Sequence, residues 1–100
     1  MEALKLEDVI KKLQQKRSYL TNMFGVTRIG IFGSFAQDRQ TISSDIDMVV
    51  EIEKSKKNIH SFLQLKRFME KELGRKIDLG FEHSLKPIVR DRIKEKIIYV

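Results

Sequence analysis

The sequence predicts an α/β fold: a small mixed β-sheet with helices packed on one face and a cleft on the other. Three observations point there. Two long stretches, Leu6–Phe24 and Ile59–Leu73, carry apolar residues at three- and four-residue steps. Three short runs, residues 26–32, 45–52 and 76–80, are rich in β-branched residues or alternate apolar with polar. The runs and the long stretches interleave along 100 residues. That length makes one domain, residues 1–100, with no room for a separate substrate domain.

In the first helix, Leu6, Val9, Ile10, Leu13, Leu20, Met23 and Phe24 form the apolar stripe, while Lys11, Lys12, Gln15, Lys16 and Arg17 fill the other side. Gly25 is placed to stop it. The strand Val26–Phe32 follows and ends at Gly33. Residues 34–40 read as a short helical turn opening a loop, and 41–44 as the rest of that loop. The helix-free span between the first two strands favours direct neighbours joined by a wide loop over a βαβ crossover. Asn58 is a candidate N-cap for the helix Ile59–Leu73. The wide apolar stripe of that helix (Ile59, Phe62, Leu63, Leu65, Phe68, Met69, Leu73) predicts deep burial, and Gly74 stops it. In the strand 76–80, Ile77 and Leu79 share one face and Asp78 takes the other. Ser84 is a candidate N-cap for a last helix over 85–94, with Pro87 in its first turn. Residues 97–100 read equally well as a final strand or a frayed helix end.

The chemistry gathers in one stretch: an apolar strand ends in Gly33-Ser34, ten residues intervene, and a second strand opens with Asp45-Ile46-Asp47. Positions i and i+2 of a strand share a face, so Asp45 and Asp47 project together. Adjacent carboxylates repel and call for a bridging cation, and hard oxygen ligands suit Mg²⁺. Free backbone N–H groups at a Gly-Ser turn can take phosphate oxygens. Asp78 interrupts an apolar strand with the same alternation. If the apolar sides of both strands meet the helices, all three Asp side chains emerge opposite. Three carboxylates beside a phosphate turn outline a two-metal phosphoryl-transfer site. Each residue also has a plain structural reading. Ser34 could cap a helix, Asp45 a turn, Asp47 could be salt-bridged, and Asp78 could pair with Arg75 or Lys76. His60 and His83 read as surface residues, and Tyr19 and Tyr99 as packing residues.

Together, Gly33-Ser34, Asp45-x-Asp47 and the later strand Asp78 resemble the minimal nucleotidyltransferases of the DNA polymerase β superfamily. The resemblance covers nearly the whole chain and implies a polymerase-β-like fold. It implies that Asp45, Asp47 and Asp78 hold two Mg²⁺ ions, with Mn²⁺ as a possible substitute, and are the catalytic residues. It implies that Gly33 and Ser34 hold the triphosphate of ATP or another NTP. Members of that family are often paired with a helical HEPN partner in toxin–antitoxin systems, and some transfer AMP to a tyrosine of that partner. The family often reads Gly-Ser-x-Ala-Arg-Gly; here Gln37-Asp38 stand in the last two places, and Arg39 is the nearby cation available to nucleotide. The expected function is therefore AMP transfer to a hydroxyl of a partner protein. The alternative is a non-catalytic module that neutralises a partner by occlusion. With so little chain, the acceptor is expected from a partner or from a second copy in a homo-oligomer.

Composition removes several other classes. There are no cysteines, which excludes disulfides and thiolate metal sites. No apolar run approaches the ~20 residues of a membrane span. The acidic N-terminus lacks a signal-peptide core, so the cytoplasm is the expected compartment. The formal net charge of +6 fits a lysine-rich solvated surface or attraction to a polyanion. No aromatic-and-basic stacking motif of single-strand binders is present, which argues against a nucleic-acid partner.

Overall fold

The computed structural model describes residues 4–37, 45–84 and 97–100. Helix α1 (Leu6–Phe24) opens with Glu7 and Asp8 in its first turn, where carboxylates meet the positive end of the helix. Asp8 accepts the Lys5 backbone N–H at 3.1 Å. Gly25 closes α1 in the left-handed conformation (φ 71°) and turns the chain into β1 (Val26–Phe32). A short helix, α2 (Gly33–Ala36), follows where the helical turn over 34–40 is predicted; residues 38–40 lie outside the described residues. The remaining elements are β2 (Ile46–Ile52), α3 (Ile59–Leu73), β3 (Ile77–Phe81) and β4 (Ile98–Tyr99). The helix predicted over 85–94 lies outside the described residues, and Ser84 ends a 3₁₀ turn, Glu82–Ser84. Of the two readings of residues 97–100, the strand is the one found.

The four strands form a mixed sheet in the order β3-β2-β1-β4. Strands β1 and β2 pair antiparallel as direct neighbours, as expected. Strands β2 and β3 pair parallel, and α3 makes the crossover that a parallel pair needs. The register slips at Thr27, where Val26 faces Ile52 but Arg28 faces Glu51. There the Thr27 carbonyl accepts from Arg17 Nη2 at 2.8 Å, and the Thr27 hydroxyl donates to the Glu51 carbonyl at 3.2 Å.

One face of the sheet carries the core. Ile29, Ile31, Ile46, Met48, Val50 and Ile77 pack with Val9, Leu13, Leu20, Leu65 and Met69 from α1 and α3. Between the helices, Tyr19 stacks on Phe68 with ring centroids 4.8 Å apart. The apolar stripe of α3 is narrower than its composition predicts: Leu65, Met69 and Leu73 are buried, while Leu63 is 46% and Ile59 72% exposed. At about 100° per residue, Leu63 lies nearly opposite Leu65, so both cannot face the sheet. Met23 likewise points outward from α1. The second face is only partly open. Val49 is buried there, and a Cβ on Gly30 would come within 2.6 Å of Ile97 and 3.3 Å of Tyr99. Side chains of the last residues thus cover the middle of this face, so the open face expected opposite the helices is not fully open.

Candidate active site

The site is built where β1 ends and β2 and β3 begin. Phe32 faces Asp47 across the antiparallel pair, and Asp47 faces Asp78 across the parallel pair. The alternation that buries Ile46 and Met48 turns the Asp47 side chain to the other face, and Ile77 does the same for Asp78. Asp45 stands just before β2 and is exposed, as is Asp78, whereas Asp47 is half-buried. Parallel pairing begins beside them, with the Ile46 N–H donating to the Lys76 carbonyl at 3.0 Å.

The turn beside the carboxylates depends on Gly33. Its φ of 73° is the left-handed region that side chains disfavour, and an added Cβ would stand 2.1 Å from Asp47 Oδ2. The missing side chain lets the Asp47 carboxylate lie against the turn. Ser34 is half-buried, and Phe35, with no exposed surface, anchors the turn in the core. The Gln37 N–H donates to the Gly33 carbonyl at 3.2 Å and closes it. Arg39 lies outside the described residues.

Electrostatics link the three carboxylates. Burial, then the charges of Asp78 and Asp45, push the Asp47 carboxyl above its ordinary value. A group charged against such opposition fits a bound divalent cation, which would reverse the sign of its surroundings. As the side chains stand, no three Asp, Glu or His among the described residues are gathered closely enough to hold a metal ion. The residues therefore fit a divalent cation in donor chemistry and share one end of the sheet, but not yet as a three-ligand set.

The remaining candidates lie elsewhere. His83 donates from Nδ1 to Glu51 Oε1 at 3.0 Å, and its backbone N–H donates to the same oxygen at 2.8 Å. Lys57 Nζ lies 3.0 Å from its Nε2. These contacts pin the turn after β3 to the far end of β2, four positions along from Asp47. Tyr99 donates its hydroxyl to Glu82, beneath the Arg28 guanidinium, 4.0 Å from the ring centroid. Arg75, which the sequence offered as an ion-pair partner of Asp78, has its guanidinium carbon 5.7 Å from the Phe35 ring centroid.

A helix-backed mixed sheet with a glycine turn against carboxylates of adjacent strands defines a nucleotidyl-transfer scaffold, and the chain belongs to the nucleotidyltransferase domain family, whose pattern it matches over residues 6–100. It is 31% identical, over all of both chains, to the protein adenylyltransferase MntA of Thermococcus cleftensis. A solved structure of a candidate minimal nucleotidyltransferase superposes with a TM-score of 0.82 at 26% identity, covering 98% of each chain. The fold also matches a toxin–antitoxin structure with AMP-PNP, with a TM-score of 0.67 at 22% identity over 96% of this chain and 72% of that one. No helix among the described residues is long and apolar enough to cross a membrane.

Proposed function

We propose that this chain, acting as one minimal nucleotidyltransferase domain, transfers AMP from ATP to a hydroxyl of a partner protein. The partner is a helical HEPN-type toxin, the acceptor is a tyrosine, and the chain is its antitoxin. The full-length similarity to a protein adenylyltransferase carries this reading, supported by three aspartates at one end of the sheet. Asp45, Asp47 and Asp78 would hold Mg²⁺, which when bound neutralises phosphate charge and polarises the phosphorus. Gly33 and Ser34 orient the β- and γ-phosphates. Asp78, on the outer strand, takes the proton of the acceptor hydroxyl. The acceptor oxygen bonds to the α-phosphorus, the bond to the β-phosphate oxygen breaks, and pyrophosphate leaves.

A second reading, neutralisation by occlusion without transfer, is favoured by Gln37 and Asp38 standing where the family often carries Arg-Gly. One experiment separates the two. The chain is incubated with its partner, radiolabelled ATP and Mg²⁺, beside a variant carrying Asp45→Asn and Asp47→Asn. Label on the partner with the native chain only, together with loss of neutralisation in the variant, is the result expected. No label, with neutralisation intact in the variant, establishes occlusion instead.

A further inference from the structure

We propose that the outer edge of β3 takes an extended segment of the partner protein as an added strand, which lays the acceptor tyrosine across Gly80 with its hydroxyl at Asp78. This inference rests on the proposed adenylyl transfer. In the order β3-β2-β1-β4, β3 has a neighbouring strand on one side only. The Ile46 N–H donates to the Lys76 carbonyl and the two strands then run in register, so residues 76, 78 and 80 turn their backbone groups to β2. The backbone groups of Ile77 and Leu79 and the N–H of Phe81 turn outward. Glu70 takes the Ile77 N–H at 3.0 Å. Among the described residues, no hydrogen bond engages the Leu79 N–H, the Leu79 carbonyl or the Phe81 N–H. An extended backbone is the ligand that supplies donor and acceptor at that spacing.

The flank of this edge is apolar. Ile59, Leu63 and Glu70 follow at steps of four and seven along one stripe of α3, and the bond from Ile77 to Glu70 fixes that stripe along the outer edge of β3. Phe62 packs on Phe81 with ring centroids 4.7 Å apart, which sets the first turn of α3 over the end of β3. The exposed Ile59 and Leu63, with the half-buried Leu79 and Phe81, give a guest strand an apolar wall. On its other face the guest meets the carboxylates. Antiparallel pairing is the slightly stronger kind, and a guest residue opposite Leu79 exchanges two bonds with it. The guest's next residues on either side then face Asp78 and Gly80 at non-hydrogen-bonded positions, where side chains come closest. A Cβ on Gly80 would meet nothing within 4 Å. A tyrosine opposite Gly80 therefore has room for its ring, and the diagonal to Asp78, about 7–8 Å, is one an aromatic side chain spans. Strand β3 (Ile77–Phe81) holds no hydroxyl-bearing residue, so a second copy of this chain paired through the same edge brings no acceptor.

The test is amide hydrogen exchange of the whole chain, alone and with its partner, beside transfer of label from radiolabelled ATP with Mg²⁺. Exchange at Leu79 and Phe81 is expected to slow by about tenfold or more in the complex, while Asp78 and Gly80, bonded to β2, exchange slowly in both states. Gly80→Val is expected to melt no lower than the native chain and to bind ATP alike, since valine suits a strand and enters open space. It should nonetheless cut labelling of the partner by about tenfold or more, because the valine takes the place of the ring. Ile59→Lys with Leu63→Lys, both at exposed positions, is expected to weaken partner binding by about tenfold, and it carries the test if Gly80→Val does not fold. Unchanged exchange at Leu79 and Phe81 in a complex that labels the partner overturns the docked strand and leaves adenylyl transfer standing. Native labelling by folded Gly80→Val overturns the placement of the tyrosine. Protection of Leu79 and Phe81 with no label on the partner retains the docked strand and removes the transfer. Protection that appears in the chain alone and grows with its concentration assigns the edge to a second copy and overturns the partner.

Discussion

Gly33 and Asp47 meet so closely that no side chain fits between them: a Cβ at position 33 would lie 2.1 Å from Asp47 Oδ2. Gly33→Ala therefore meets two penalties. The φ of 73° costs a residue with a Cβ about 1–2 kcal/mol, and the Asp47 carboxylate must swing out of its place. The expected result is a melting temperature lower by several degrees and loss of transfer. Gly74→Ala serves as the control for stability. Its φ is 61° with nothing within 4 Å, so it bears the backbone penalty alone. Equal melting losses in the two variants would show that the Asp47 contact adds nothing.

Asp47→Asn is expected to stabilise the chain at neutral pH. A carboxyl whose pKa is raised on folding holds its proton more tightly in the native state. Its contribution is fully present below the unfolded value of 3.8 and is lost as pH rises through the raised native value. Asparagine escapes that loss. The gain is about 1 kcal/mol at most, since the group is half open to water. Chemical denaturation at neutral pH and again below pH 3.8 tests this: the asparagine variant should lead at the higher pH only.

Glu51→Gln is expected to do the reverse. Burial pushes the Glu51 carboxyl up, but the His83 backbone N–H, the His83 ring and Lys57 outweigh it and hold it below 4.5. A depressed native value adds stability that is present above the unfolded value and lost as pH falls through the native one. Glutamine should thus be less stable than the native chain at neutral pH, and the difference should close in acid. A constant gap across that range would mean the loss comes from packing.

Asn58→Ala removes the side-chain oxygen that accepts the Ser61 N–H at 2.8 Å. Loss of an N-cap costs about 1 kcal/mol, or roughly 4–8 °C in melting temperature for a domain near this size. Asn58→Ser, which keeps an acceptor, should recover most of it. Because α3 is the crossover between β2 and β3, hydrogen exchange should quicken in its first turn before it does in the sheet.

Much of this arrangement was legible in the sequence because its elements are local and strongly periodic. Gly25 and Gly74 ended helices where their conformational freedom predicted, and the matching alternation of apolar and acidic residues in the two strands placed Asp47 and Asp78 on a common face. Features that depend on what approaches from elsewhere were not legible. The burial of Val49 comes from residues near the end of the chain crossing Gly30. The exposure of Leu63 follows from which arc of α3 meets α1 and the sheet. Arg75 gained its aromatic platform from Phe35, about forty residues earlier in the chain, and no spacing rule connects them.

The pairing of Asp47 with Asp78 is backed from behind by Ile46, Met48 and Ile77 in the core. A one-residue slip of β3 would drive Asp78 among those apolar side chains, so the scaffold proof-reads the position of its acids without drawing any stability from them. The dependence runs one way. A lineage can shed every one of these carboxylates by mutation and inherit the same sheet, helices and outer surfaces intact. Such a descendant would remain a ready-made binding partner, silent in chemistry and almost indistinguishable in shape from its active ancestor.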